Sequence, residues 1–240
     1  ELNFYYISTF QAIWPMKRNI LLNPGPATTT NSVKQALMVP DICPREQEFG
    51  DLTQAVLNKV VQVVNGESTH TAVIFTGSGT AGVEAALSSV VPPEGKILIL
   101  DNGAYGKRAE TIIQAYGIPY RTHRLVWGDY PDVDAVEAIF KEDSELTHFV
   151  FVHHETTTGM LNPLPELLEL CQKYEIDSIV DAMSSYAGLP IDMRELPIDY
   201  LISSSNKCIQ GMAGTSFVIA NKEKLAKTAE IPPRNLYLNL

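Results

Sequence analysis

From Thr71 onward the chain alternates short apolar runs with amphipathic stretches, and this alternation restricts it to one class of architecture. Residues 71–75 (TAVIF), 96–100 (KILIL), 147–152 (THFVFV), 178–180 (SIV), 200–203 (YLIS) and 216–220 (SFVIA) are dense in Val, Ile, Leu and Phe. Runs of this kind form strands covered on both faces. Between them, residues 81–90, 107–116, 133–141 and 165–174 place apolar side chains three and four apart, which predicts amphipathic helices. Strands alternating with helices call for a mainly parallel sheet between helices, with ligand sites at the carboxyl ends of the strands. Gly95, Gly117-Ile118-Pro119, Gly128 and Pro163 punctuate the joints without a low-complexity linker. Residues 16–240 therefore read as one large α/β domain. Residues 1–15, aromatic-rich and without a period, read as a leader or the end of a preceding segment.

The charge balance narrows the partners. Eighteen Lys and Arg against 28 Asp and Glu give a net charge of −10, which repels phosphate polymers, so a nucleic-acid-binding face is not expected. Cys43, Cys171 and Cys208 are an odd number at wide spacing. Neither a disulfide framework nor a metal site is expected from them, and a reducing cytoplasm fits. No apolar run approaches the roughly 20 residues that cross a bilayer.

After the 71–75 run comes Thr76-Gly77-Ser78-Gly79-Thr80-Ala81-Gly82, which opens the next helix. Such a loop turns backbone N–H groups toward a ligand at the positive end of a helix, an arrangement that holds a phosphate. Ser78 and Thr80 add hydroxyls. Gly77, Gly79 and Gly82 also satisfy G-x-G-x-x-G, and Asp101 comes at about the ~20-residue spacing of the ribose-binding acid in dinucleotide folds. An NAD-dependent oxidoreductase is thus the rival reading. Against it, the unit arrives late in the chain, and Asp101 runs into a second loop, Asn102-Gly103-Ala104-Tyr105-Gly106, for which a dinucleotide has no need.

Asp181 ends the 178–180 run, and Lys207 comes after the 200–203 run in Ser203-Ser204-Ser205-Asn206-Lys207. If both strands are parallel, the two side chains emerge at the edge that carries the glycine loop. Taken singly, each has an ordinary reading: a solvated lysine, and an aspartate capping a helix. Together, a phosphate cradle, a carboxylate and an amine suit pyridoxal 5′-phosphate, whose ring nitrogen pairs with an acid and whose aldehyde condenses with an amine. Tyr105 is placed to stack on the ring. Thr156, in His154-Glu155-Thr156-Thr157-Thr158-Gly159, is placed to reach the ring hydroxyl. His153 and His154 point to opposite sides of an extended strand, so at most one faces the site.

These motifs in this order, with Leu21-Leu22-Asn23-Pro24-Gly25-Pro26, Asp41-Ile42-Cys43-Pro44-Arg45-Glu46, Val180-Asp181-Ala182-Met183-Ser184-Ser185 and Ser205-Asn206-Lys207-Cys208-Ile209-Gln210-Gly211, resemble the class V aminotransferases of the aspartate-aminotransferase fold. The resemblance runs from about Lys17 to the end. It implies that Lys207 carries the cofactor and moves the proton, that Asp181 meets the pyridine nitrogen, and that Ser78, Gly79 and Thr80 hold the phosphate. It further implies that Tyr105 stacks on the ring, Thr156 meets its oxygen and Asn206 lies beside the lysine, with Arg45 in a segment that faces substrate. Within the family the likeness is to members that transaminate 2-aminoethylphosphonate with pyruvate, as cytoplasmic homodimers. Members of the alanine– or serine–glyoxylate type remain an alternative, as does a cofactor-binding domain that serves only in assembly. The family pattern adds a smaller C-terminal domain with the arginine for the substrate's acid group, and the chain stops at Leu240 before it.

Overall fold

The computed structural model describes residues 19–240; the 1–15 segment and Lys17 lie outside them. Two helices come first, α1 (Asn31–Gln35) and α2 (Gln47–Gln62). An alternating series comes next: β1 (His70–Thr76), α3 (Gly79–Val90), β2 (Lys96–Asp101), α4 (Ala104–Ala115), β3 (Tyr120–Arg124), α5 (Val133–Glu142) and β4 (Leu146–Val152). The short strands β5 (His154–Glu155) and β6 (Met160–Leu161) form a small hairpin. Then come α6 (Leu164–Lys173), β7 (Asp177–Asp181), β8 (Tyr200–Ser204), β9 (Thr215–Asn221) and α7 (Lys222–Thr228).

Seven strands make one sheet in the order β1-β9-β8-β7-β4-β2-β3. All neighbours are parallel except those involving β9, which runs antiparallel to both β1 and β8. The apolar runs read from the sequence are all strands of this sheet, and each of the four helical stretches lies close to its helix. Three strands escape the apolar pattern. Edge strand β3 (YRTHR) is half-exposed over most of its length and has no apolar run to announce it, and β5–β6 is too short to show a period.

Burial on both faces explains the runs. Ile97 and Ile99 of β2 pack toward α3 and α4 with Val83, Leu87, Ile112 and Ile113. Leu98 and Leu100 pack on the other side with Phe140, Phe149, Leu167 and Leu168, beneath α5 and α6. Gly82 lets α3 sit close on the sheet: a Cβ there would stand 3.1 Å from Ser216 Cβ and 3.2 Å from Ile202 Cγ2. The third glycine of the fingerprint is thus used for helix–sheet packing.

Phe149 is fully buried, with the Phe140 ring edge-on at 5.5 Å and the Phe151 ring at 5.0 Å between centroids. Phe149→Ala is expected to lower stability by roughly 3–5 kcal/mol, read as a fall in the urea midpoint with little change of slope.

Candidate active site

The carboxyl ends of β1, β4, β7 and β8 and the start of β9 meet around a cavity of about 280 Å³. Ser78, Gly79, Thr80, Tyr105, Thr156, Asp181, Asn206 and Lys207 all line it, joined by Arg108, His154, Met183 and Ser184. Of the site residues expected from sequence, all but one therefore converge on one place. Arg45 stands apart, exposed on the turn ahead of α2 and outside the cavity lining.

The register of β7 on β8 does most of this work. The two strands are parallel with Asp181 opposite Ile202, so Asp181 and the segment after Ser204 leave the sheet at one edge. That segment folds back tightly: Gly211 N–H donates to Ser205 C=O at 2.6 Å, and Gln210 N–H to Lys207 C=O at 2.8 Å. Ser205 Oγ–H donates to Met212 C=O at 2.5 Å. Lys207 is half-buried and, among the described residues, has no acidic partner; its nearest acceptor is Gly25 C=O, 3.5 Å from Nζ. Residues 23–27 cross over it. Ala27 N–H donates to Asn206 C=O at 2.8 Å, and Gly25, at φ +154°, lies so near that a Cβ would come 2.3 Å from Lys207 Cδ. A side chain at Gly25 would be strained at this φ and would push the end of Lys207 aside.

Asp181 is buried, and the one hydrogen bond to its carboxylate among the described residues comes from Met183 N–H, at 2.9 Å to Oδ1. Burial pushes its pKa up from the usual carboxylate value to about 6; the Met183 N–H opposes this, the Glu155 charge adds to it, and Arg108 and Lys207 oppose it. A carboxylate held this way has capacity for a cationic N–H donor.

Ser78 is the N-cap of α3 but makes no side-chain capping bond, which leaves its hydroxyl and the amides of Gly79 and Thr80 available to an anion, while Ala81 N–H donates to Ser78 C=O at 2.9 Å. Gly77 N–H donates to Gly214 C=O at 2.8 Å, anchoring the loop to the start of β9. Two loops on the opposite wall are tied by one residue absent from the sequence expectations. Glu155 is fully buried and accepts from Tyr105 N–H at 3.0 Å, Gly106 N–H at 3.4 Å, Thr157 N–H at 3.3 Å and Thr157 Oγ–H at 2.5 Å. It thereby fixes the Tyr105 loop against the Thr156 loop. The two histidines divide as alternation requires. His153 is buried on Ser185 Oγ (3.0 Å), its pKa lowered by burial to about 4. His154 lines the cavity, with Ser184 Oγ–H donating to its carbonyl at 2.7 Å.

The donor set suits pyridoxal phosphate: uncommitted amides and hydroxyls for an oxyanion, a flat aromatic wall, a buried carboxylate with spare acceptor capacity, and an amine without an acidic partner. It does not suit a dinucleotide. Asp101 is buried and held by Arg124 Nε at 2.9 Å. Its strand β2 is separated from β1 by β9, β8, β7 and β4, whereas a ribose-binding acid must end the strand beside the glycine loop. Among the described residues no cluster of His, Cys, Asp and Glu fit to hold a metal ion is present, and no helix is long and apolar enough to cross a membrane.

Comparison with known proteins agrees with this geometry. Over 208 residues the chain is 45% identical to the 2-aminoethylphosphonate–pyruvate transaminase of Klebsiella pneumoniae, covering 86% of this chain and 56% of that protein. Over 214 residues it is 44% identical to a bifunctional phosphonoacetaldehyde hydrolase/aminoethylphosphonate transaminase of Clostridioides difficile, covering 89% of this chain and 34% of that one. The chain thus spans a little over half the length of the Klebsiella relative. Among solved structures, an alanine–glyoxylate aminotransferase from Nostoc superposes with a TM-score of 0.86 at 26% identity, over 95% of this chain and 61% of the other. A pyridoxamine–pyruvate aminotransferase from Mesorhizobium loti gives 0.85 at 25%, over 95% and 58%. The sheet described above is therefore that of the aminotransferase fold. The aminotransferase class-V family pattern matches residues 35–233, and with the site at the strand ends and the relatives in agreement, the chain belongs to the class V aminotransferases.

Proposed function

We propose that this chain is the cofactor-binding part of a pyridoxal phosphate enzyme that transaminates 2-aminoethylphosphonate with pyruvate, giving phosphonoacetaldehyde and L-alanine. The observation that carries the cofactor reading is the meeting of Lys207, Asp181 and the head of α3 in one cavity. The substrate reading is supported by the names of the relatives at 44–45% identity.

When bound, the cofactor supplies an electron-withdrawing ring that takes up the charge left as a proton departs the carbon beside the substrate amine. The residues of this chain supply the rest. Ser78, Gly79 and Thr80 hold the phosphate, Tyr105 covers one face of the ring, and Thr156 meets its oxygen. Asn206 lies next to the lysine, its Oδ1 accepting from Ser204 Oγ–H at 2.9 Å. Asp181 would face the ring nitrogen and hold a proton there as its counter-charge. Lys207 would anchor the cofactor through its amine and, when free, would move the substrate proton.

A homodimer fits the surface. Leu37, Met38 and Val39, together with Phe49, Leu52 and Val56 along one side of α2, are exposed, while Leu57, Val60 and Val61 on the adjoining side enter the core. An apolar face of this extent is what a subunit contact covers. A cytoplasmic location accords with three free cysteines.

Adding pyridoxal phosphate to the protein should give a visible absorption band that Lys207→Ala lacks, with turnover reduced by roughly 10²–10⁴-fold or more; an unchanged band would sink the assignment. Paired assays with 2-aminoethylphosphonate and pyruvate, and with alanine or serine and glyoxylate, decide the substrate class. Sedimentation should give a dimer, weakened by Leu52→Lys with Val56→Lys; an active monomer would refute the interface.

Asp181 also predicts a stability signature. Its pKa is raised by folding from 3.8 to about 6, so the folded chain binds that proton more tightly than the unfolded one. The stabilisation is complete below about pH 4 and is lost as pH rises through about 6. Above about pH 6 the buried charge costs on the order of 3 kcal/mol. Cofactor-free Asp181→Asn should therefore melt at a higher temperature than the wild type at about pH 8, with the gap closing toward about pH 4, while binding pyridoxal phosphate more weakly. A lower melting temperature for the variant at the alkaline end would contradict this account.

A further inference from the structure

We propose that Arg108 is a binding residue for a phosphoryl anion at the head of α3, and that the anion is the phosphate of the cofactor. The inference rests on the pyridoxal phosphate reading and adds to it a residue outside the Ser78-Gly79-Thr80 loop.

The environment of Arg108 differs from those of Arg121, Arg124, Arg194 and Arg234. Arg121 meets Glu142, Arg124 meets Asp101 and Glu110, and Arg194 meets Asp192; Arg234 donates to the carbonyls of Ser88 and Val91. Arg108 pairs with no carboxylate among the described residues, in a chain where acids outnumber bases 28 to 18. It reaches from α4 across to α3 instead. Its Nη1 lies 3.4 Å from Thr80 Oγ1, and its guanidinium carbon stands 4.9 Å from the centre of the Tyr105 ring. Both neighbours line the cavity with it.

Arg108 is exposed and feels the attraction of the Asp181 carboxylate, but one term at its position opposes a cation. The first turn of α3 carries the positive end of the helix dipole and has no acidic residue to offset it, so guanidinium and helix end repel each other. An anion between them turns both terms attractive, and the guanidinium fork matches the oxygens of a phosphoryl group. Two groups here carry that chemistry, the cofactor phosphate and the substrate phosphonate. The contact with Thr80 favours the first, because Thr80 belongs to the turn whose free amides hold the phosphate. Tyr105, under the guanidinium, keeps the side chain directed there.

The test compares wild type, Arg108→Met and Arg108→Lys, titrated with pyridoxal phosphate and with pyridoxal, which lacks the phosphate, by means of the visible band; inorganic phosphate is the third probe, measured by calorimetry of the cofactor-free protein. Loss of one charge-assisted contact on a partly solvated anion predicts roughly tenfold weaker binding of pyridoxal phosphate to Arg108→Met. Affinity for pyridoxal should not change, inorganic phosphate should bind more weakly, and Arg108→Lys should fall between. At saturating cofactor the KM for 2-aminoethylphosphonate should stay at the wild-type value. Equal weakening of pyridoxal and its phosphate would overturn the proposal and leave Arg108 acting only through the Tyr105 ring. A raised KM for 2-aminoethylphosphonate with unchanged cofactor affinity would overturn it in favour of the substrate phosphonate. A wild-type protein that develops no band with either aldehyde defeats the cofactor reading itself, and does so before position 108 is altered.

Discussion

The parallel pairing of β7 with β8 is the constraint on which the candidate site depends. Strand direction and register put Asp181 and the chain leaving Ser204 at one edge of the sheet, and a parallel sheet buried on both faces leaves that register little freedom to slip. The connection out of β8 is equally constrained. The chain must reverse into antiparallel β9, and the reversal closes on its own carbonyls and hydroxyls around Lys207. The lysine thus sits on a short, pinned connection, with Gly25 and Ala27 laid across it. A pinned connection limits where this flexible side chain can reach.

The cavity also concentrates electrostatic cost. Asp181 is buried with one hydrogen bond, and Glu155, buried behind the loops, adds a second negative charge that works against it. A fold selected only for stability would place neither there. Glu155 is offset by four donors and by the N-terminus of α4, on whose first turn two of those donors lie. Asp181 has no comparable offset within the described residues. The balance closes when a cation meets Asp181 and an anion meets the head of α3, two opposite charges at two ends of one cavity. A small zwitterionic aromatic ligand meets both demands at once.

Most of the sheet was legible because its strands are buried on both faces, which forces long apolar runs such as KILIL and THFVFV. Edge strand β3 was not, since half-exposed positions accept Arg, Thr and His. Helix α2 carries apolar residues on two faces, one in the core and one exposed, and that blurs the single stripe by which a helix is read. The expected site residues other than Arg45 converge because strand ends are predictable from strands. Arg45 lies apart, on a turn whose position no strand fixes. Arg108 was missed because the helix expected over residues 107–116 left Tyr105 in the loop before it; the helix in fact starts at Ala104, which puts Tyr105 and Arg108, three positions apart, on one face. Glu155 had none, because the donors that tie it across the site are the backbone amides of Tyr105 and Gly106, distant in sequence.

The glycine loop shows why a local motif has to be read with its neighbouring strand. Gly77, Gly79 and Gly82 follow the spacing of a dinucleotide site, and Gly82 sets the helix close on the sheet as the third glycine does there. The two outcomes separate at the next strand over. In the dinucleotide fold that neighbour is the second strand, whose terminal acid reaches the ribose. Here it is β9, running the opposite way, and beyond it β8 leads to the lysine. Asp101 keeps the fingerprint spacing while its charge is taken up by Arg124. Spacing along the chain records distance in sequence, and strand order converts it into distance in space. One phosphate cradle can therefore serve either cofactor, depending on what the adjacent strand delivers to its open side.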